Sequence, residues 1–192
     1  MQAQNFNGGI ILGLSTSQVS GDKLGGFNKA GILAGGFANT HLLSFLSLQM
    51  EITYIQKGSN NPSMNENLIP DISLSYISVP IFLKYHQNSN IQIESGLETA
   101  VLLSSQDNDF YGTVPKDQSI EFNKYDLSAL IGIYYKLSEK ITLNSRLSNS
   151  ILPIREHASG VTFQSNKGQY NSVLSFASTI RIMSCETRAP SS

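Results

Sequence analysis

The stretch that decides the fold reads Leu46-Ser-Leu-Gln-Met-Glu-Ile-Thr-Tyr54, and apolar and polar residues alternate through it without a break. Successive side chains of a β-strand point to opposite faces, so strict alternation is typical of a strand that is apolar on one side only. The apolar face of this stretch runs from Leu46 to Tyr54. Its polar face holds Ser47, Gln49, Glu51 and Thr53.

The same test along the whole chain predicts eight strands, near residues 5–18, 29–39, 43–57, 72–86, 90–104, 124–137, 140–152 and 170–183. Short and long connections alternate between them. The tight turns lie near 39–42, 87–89 and 137–140, and the long polar loops near 19–28, 58–71, 105–123 and 153–169. Outer-membrane barrels have this layout, with an even number of strands, short periplasmic turns and long outer loops.

We therefore predict an all-β fold, an eight-stranded antiparallel up-and-down transmembrane β-barrel. One outer-membrane domain should cover residues 1–184, with a C-terminal tail at 185–192. An eight-stranded barrel has an interior just wide enough to be filled by side chains, so we expect no open channel. The predicted strand at 72–86 contains Pro80, which cannot donate to a sheet ladder, and we expect a bulge or local kink there.

The composition agrees with a membrane barrel. Only 14% of the 192 residues are charged, against about 25% in a typical soluble domain, and the formal net charge is −1. Nothing in this balance points to a nucleic-acid partner. No apolar run approaches the roughly 18 residues of a transmembrane helix. The single cysteine, Cys185, leaves no internal disulfide, and Ala3-Gln4 before the first strand is typical of a signal cleavage site.

Three consecutive segments carry a family resemblance: Glu51-Ile-Thr-Tyr-Ile-Gln-Lys-Gly58, Tyr76-Ile-Ser-Val-Pro-Ile-Phe-Leu-Lys-Tyr85 and Ile93-Glu-Ser-Gly-Leu-Glu-Thr-Ala-Val-Leu-Leu103. They resemble the PorT-type outer-membrane β-barrel family, which is common in bacteria that secrete through the type nine system. The resemblance implies an outer-membrane barrel and includes Pro80. It does not imply a secretion role, and the chain departs from the pattern in lacking an aromatic residue at its end.

Six charged residues share the polar parity and should form an ion-pair network in the lumen: Glu51, Lys84, Glu94, Glu98, Arg146 and Arg181. Counting from the short turns places Lys84, Glu94 and Arg181 in a low layer, with Lys84 beside Glu94. The same count places Glu51, Glu98 and Arg146 higher. Buried charges persist in proteins when they are paired, which favours this interpretation over a catalytic pair of Glu51 with Glu98.

The remaining candidates lie near the ends of the barrel. The loop at 105–123 carries Asp107, Asp109, Phe110 and Tyr111, and a partner would bind there. Its carboxylates lack the spacing of a calcium loop, so we expect no metal and no cofactor. The apolar face carries Tyr54, Tyr85, Tyr135 and Phe176, which either form an interfacial girdle or reflect β-propensity alone.

Three functions follow from these patterns. The first is a non-enzymatic outer-membrane barrel that contacts the lipid bilayer and acts as a structural or partner-docking component of the envelope, with a link to secretion machinery as one option. The second is a soluble barrel that binds a small apolar ligand, with its apolar face inward. The third is a lipid-modifying outer-membrane enzyme, which would need a serine–histidine pair at one rim. The available histidines are His41 and His86 at the turn end and His157 in a long loop.

Overall fold

The computed structural model describes residues 6–20, 26–60, 71–109, 112–113, 121–156 and 168–185. Every regular element in these ranges is a β-strand. The long strands are β1 (Phe6–Ser20), β2 (Lys29–Leu43), β3 (Leu46–Ser59), β4 (Asp71–His86), β5 (Ile91–Asp109), β7 (Tyr125–Lys136), β8 (Ile141–Ser150) and β10 (Gly168–Cys185). The short strands are β6 (Gly112–Thr113) and β9 (Arg155–Glu156).

The eight long strands close into one antiparallel barrel. Each pairs with its neighbour in the chain, and β1 pairs with β10 from Phe6–Cys185 to Ser20–Tyr170. Closure leaves no long strand with an unpaired edge, which is the condition for a sheet to span a bilayer. The predicted eight-stranded fold is therefore confirmed. Within the described part of the chain, no helix is long and apolar enough to cross a membrane.

The alternation in the sequence corresponds to the inside and the outside of the barrel. In β3 the residues from Ser47 to Ser59 at odd positions are buried, whereas Met50 and Ile52 point outward and are exposed. The other long strands follow the same rule. A soluble barrel with an apolar ligand cavity would place its apolar face inward, so the observed orientation rules that alternative out.

The short connections share one end of the barrel, here called the turn end. Asn88 and Ser138 shape two of them, because each side-chain oxygen accepts backbone N–H groups two and three residues further along. The opposite end, here called the loop end, carries the long connections. The first residue of β1, Phe6, and the last residue of β10, Cys185, also lie at the turn end.

The strand β4 passes Pro80 without a bulge, so the predicted bulge was wrong, while the alternative of a local kink stays a prediction. Its register with β3 pairs Met50 with Ile81 and Thr53 with Ser78, and no residue is gained or lost between these pairs. The shift in β4 lies elsewhere, between Ser75 and Tyr76 against β5. A proline removes one ladder hydrogen bond without requiring an extra residue, and the two strands simply skip the pairs beside it.

Most strand boundaries differ from the predicted ones by one to five residues. The strand β2 continues through Leu43, so the first tight turn lies at residues 44–45 and the predicted turn near 39–42 was wrong. The strand β5 continues through Asp109, five residues past its predicted end, and β10 continues through Cys185, which we had placed in the tail. Residues 186–192 lie outside the described ranges, so the division at 184–185 stays a prediction. Strand ends depend on pairing with neighbours, which alternation alone does not reveal.

Candidate functional site

The barrel interior is the candidate functional site, because it buries charge. Among the described residues, seven charged side chains are buried inside the barrel: Glu51, Lys57, Lys84, Glu94, Glu98, Asp126 and Arg146. Four are acids and three are bases. Ions held this far from water need partners at close range, and the structure supplies them in two groups.

The first group, here called the Arg146 cluster, joins four strands, β3, β5, β7 and β8. The Arg146 guanidinium donates from Nε to Glu94 Oε1 at 2.7 Å and from Nη1 to Glu51 Oε2 at 2.8 Å. The Tyr134 hydroxyl and the Gln49 amide also donate to Glu51 Oε1, at 3.2 and 2.7 Å. One guanidinium therefore pairs with two carboxylates at once, using the planar fork of donors that arginine provides.

The second group, here called the Lys57 cluster, lies closer to the loop end. Lys57 Nζ donates to Glu98 Oε1 at 2.7 Å and lies 3.6 Å from Asp126 Oδ2. Ser78 donates to Glu98, and the Asn171 amide donates to Asp126. The side chains of Lys57 and Asp126 have no exposed surface at all, so this ion pair is removed from water.

Of the six predicted residues, Lys84 and Arg181 belong to neither cluster. Lys84 is the register partner of Glu94, but its ammonium lies over the Tyr134 ring, 3.4 Å from the ring centroid. Arg181 is exposed at the turn end and forms no ion pair with any described residue. The structure thus brings Glu51, Glu94 and Arg146 together, places Glu98 in the other group and leaves Arg181 outside both.

The grouping into a low and a high layer was therefore wrong, and two members were missed. Arg146 contacts Glu94, which we had assigned to the other layer, and Glu98 pairs with Lys57. Lys57 and Asp126 both have the polar parity of their strands. That parity was the signal that identifies them, and it was overlooked because both lie at predicted strand ends.

Apolar side chains close the interior at the loop end. Ile154 is completely buried and packs in one cluster with Val19, Ile72 and Tyr76. Its backbone is fixed from both sides, because Asn123 N donates to its carbonyl at 2.6 Å and its own N–H donates to Gln169 O at 2.8 Å. The segment after β8 therefore folds inward over the Lys57 cluster.

At the turn end the interior opens into a cavity of about 500 Å³, here called the turn-end basin. Its charged and imidazole lining consists of Lys84, Lys136, Glu139, Lys140, Arg181, His41 and His86. Amides and hydroxyls supply most of the rest. A hydrogen bond from Lys136 lowers the pKa of the exposed Glu139 carboxyl, and the two form an ion pair at 2.8 Å.

A serine and a histidine do meet in the lining of this basin. Ser47 Oγ lies 2.7 Å from His86 Nε2, and the His41 and His86 rings lie 5.4 Å apart. Within the described ranges, no carboxylate hydrogen-bonds to either imidazole, so the group that orients the base in a serine hydrolase is missing there. His157 lies outside the described residues. These ranges also contain no group of three or more histidine, cysteine or acidic side chains that could hold a metal ion.

The predicted loop-binding residues fall at the far end of β5. Asp107 and Asp109 lie in the strand rather than in a loop, where their backbones pair with Ile72 and Gly112. Phe110 and Tyr111 lie outside the described residues.

Residues 2–155 match the family model described as an outer membrane protein beta-barrel domain. The chain belongs to this family. It is accordingly an outer-membrane protein, and its barrel contacts the lipid bilayer. No curated protein matches the chain in sequence.

Two solved outer-membrane barrels share the fold. Ail, the attachment invasion locus protein of Yersinia pestis, superposes with a TM-score of 0.55 at 12% identity, over 95% of this chain and 100% of its own. Neisserial surface protein A superposes with a TM-score of 0.53 at 11% identity, over 94% of this chain and 98% of its own. At such low identity the similarity extends to the fold alone.

Membership in this family assigns the exposed apolar face to lipid. Two of the four aromatic residues predicted for this face, Tyr85 and Tyr135, lie at the turn end, where Phe45 packs edge-on against Tyr85 with ring centroids 6.1 Å apart. Phe176 lies in mid-strand, opposite Leu14. Tyr54 is half-buried and donates to Ser75 Oγ. Interfacial aromatics belong at the height of the headgroups, which fits the first two positions.

Proposed function

We propose that this outer-membrane barrel is a non-enzymatic docking component of the envelope that binds a protein partner at its loop end. The observation that carries the proposal is the combination of a filled interior with strands that continue past the rim. The Lys57 cluster and Ile154 occupy the interior toward the loop end. The strands β5 and β10 have 19 and 18 residues, against 10 in β8.

The length of these strands exceeds what a bilayer needs. About 9–11 residues of tilted strand cross the hydrocarbon core, so β5 has several residues to spare beyond the membrane. The pairing of β5 with β4 continues to Asn108–Asp71, and β6 then adds to its end. A sheet that continues above the bilayer offers a partner a pre-organised surface, which lowers the entropic cost of binding.

Asp107, Asp109, Phe110 and Tyr111 form the proposed contact segment. Aromatic residues are enriched among the side chains that contribute most to protein interfaces, and the acidic pair favours a partner with a basic patch. Short turns of outer-membrane barrels face the periplasm, so the loop end, where β5 ends at Asp109, faces the outside of the cell.

Site-specific photo-crosslinking tests the docking surface in intact cells. A photoreactive phenylalanine analogue is introduced at Phe110 or Tyr111, and at Leu137 of a short turn as the matched control. We expect the same protein partner to be crosslinked from both loop-end positions and not from Leu137. A crosslinking pattern that does not differ between the two ends contradicts the proposal.

A separate measurement tests whether the interior is closed. The purified barrel is inserted into a planar lipid bilayer under voltage. We expect no ion-conducting steps, because the two ion-pair clusters and Ile154 leave no continuous aqueous path. Stable single-channel conductance would show a pore and overturn this part of the proposal.

We infer that the barrel is of the PorT type, because the segments Glu51–Gly58, Tyr76–Tyr85 and Ile93–Leu103 resemble that family. We also infer that the protein is linked to secretion machinery. Deletion of the gene should then reduce the amount of secreted cargo in the medium, and a copy that lacks the contact segment should fail to restore it. Normal secretion in the deletion strain refutes the link while leaving the docking role intact.

A further inference from the structure

We propose that the turn-end basin binds a small phosphate-bearing anion that enters from the periplasm. The basin opens between the short turns, since Asn88, Ser89 and Glu139 all line it. Short turns of outer-membrane barrels face the periplasm. Its volume of about 500 Å³ is within the range of about 300–1,000 Å³ that is usual for small-molecule sites.

The charge of the lining selects an anion. Four cationic side chains line the basin, Lys84, Lys136, Lys140 and Arg181, and Glu139 is the only carboxylate among the described residues that line it. Lys136 is already paired with Glu139. Lys140 and Arg181 line the basin and form no ion pair with any described residue, whereas Lys84 lies beside its buried register partner Glu94. The lining of the basin therefore keeps an excess of positive charge. A concave surface with low-dielectric walls concentrates this positive potential and attracts anions.

The floor of the basin presents a buried ammonium. Lys84 is 7% exposed and is positioned by the Tyr134 ring, while its register partner on β3 is Ser47. The Ser47 hydroxyl is itself in contact with His86. An anion on the floor would thus meet the Lys84 ammonium beside the His86 imidazole, which the buried Ser47 holds in place. The guanidinium of Arg181 lines the same cavity at its mouth.

These groups favour phosphate over an isolated carboxylate. A phosphate group offers several strong acceptor oxygens, and arginine binds two of them at once with its planar fork, while lysine acts as a point charge. The basin is too large for one inorganic phosphate and suits a molecule that carries two or more anionic groups. It is separated from the loop end by the Arg146 cluster, so such a ligand would not pass through the barrel.

Titration calorimetry of the refolded barrel in a non-ionic detergent tests the proposal, with inorganic pyrophosphate as the probe. The test variant carries Lys140→Gln and Arg181→Gln, which change two basin cations without touching a buried ion pair. The matched control is Lys29→Gln at the loop end, where Lys29 Nζ donates to Ser73 Oγ at 2.6 Å. A third variant, Lys84→Met, probes the floor once its folding has been checked by heat-modifiable mobility.

We expect saturable binding of pyrophosphate by the unmodified protein, at least tenfold weaker binding by the double variant, and unchanged binding by Lys29→Gln. Equal binding by all variants would reveal general surface electrostatics and overturn the proposal, as would the absence of saturable binding. Citrate is titrated in parallel. If citrate binds more tightly than pyrophosphate, the assignment to phosphate is wrong.

Discussion

Arg146 reaches Glu94 across an intervening strand, and it does so over Gly132. The arginine lies on β8 and the glutamate on β5, with β7 between them. Gly132 is the register partner of both residues. A glycine has no side chain at this point, so Arg146 Nε approaches Glu94 Oε1 to 2.7 Å directly above the backbone of β7.

Gly132→Ala should therefore destabilise the barrel. A Cβ at this position would collide with Glu94 Oε1 and with the carbonyl of Ser145, so the ion pair has to move. The matched control is Gly36→Ala on the lipid face, where the nearest atom would be Gly9 O at 3.5 Å, an ordinary contact. The chain has no tryptophan, so the folded fraction is best followed by gel mobility of unheated samples across a urea series. Equal urea midpoints for the two variants would contradict this account of Gly132.

Arg146→Met should destabilise the barrel more than Glu94→Gln does. The arginine is the partner of two buried carboxylates, and removing one member of a buried ion pair costs about 3–5 kcal/mol because the other is left unpaired. The quadruple variant Glu51→Gln, Glu94→Gln, Lys84→Met, Arg146→Met also removes the buried ammonium beside Glu94, so it leaves no unpaired charge at this site and should recover most of the lost stability. The same urea series measures all three proteins, and a quadruple variant no more stable than Arg146→Met would refute the role of unpaired charge.

Lys57→Met should be far more harmful than Lys136→Met, although each removes a lysine from an ion pair. Lys57 has no exposed side-chain surface and serves both Glu98 and Asp126. Lys136 pairs with the exposed Glu139, and exposed ion pairs contribute only about 0–1 kcal/mol. We expect a clear drop in the urea midpoint for the first variant and almost none for the second. A comparable loss for both would mean that the burial of Lys57 has no energetic consequence.

The strands could be predicted from the sequence because side chains alternate between lipid, which favours apolar residues, and the barrel interior, which here holds mainly polar ones. Segment 46–54 shows this most clearly, since its apolar residues all point outward in the structure. The same parity correctly marks Glu51, Lys84, Glu94, Glu98 and Arg146 as inward. An alternating pattern predicts whether a side chain points inward or outward. It does not predict the height of that side chain in the barrel or its partner.

The pairing inside the barrel could not be predicted in the same way. Counting from the short turns assumes that equal counts mean equal height, but the strands of a closed barrel are tilted and staggered against each other. Glu94 and Arg146 stand at different counts from their turns and still meet. Their meeting also depends on the missing side chain of Gly132, which no inspection of β5 or β8 alone reveals. The length of β5 was missed for a related reason, because its last residues are held by β4 and β6 rather than by an alternating pattern.

Arginine on the lipid face should reveal the depth of each position in the bilayer. Ile131 and Tyr125 lie on the same strand and the same face, with exposures of 56% and 69%, but Tyr125 begins β7 at the loop end whereas Ile131 lies in its middle. An arginine costs about 2–4 kcal/mol at the bilayer midplane and about 0–1 kcal/mol near the interface. We therefore expect Ile131→Arg to lower the urea midpoint in lipid vesicles strongly and Tyr125→Arg to leave it nearly unchanged. In short-chain detergent, which deforms around a charge, the difference should shrink. If both variants behave alike in vesicles, β7 does not cross the bilayer in the way that its exposed apolar face indicates.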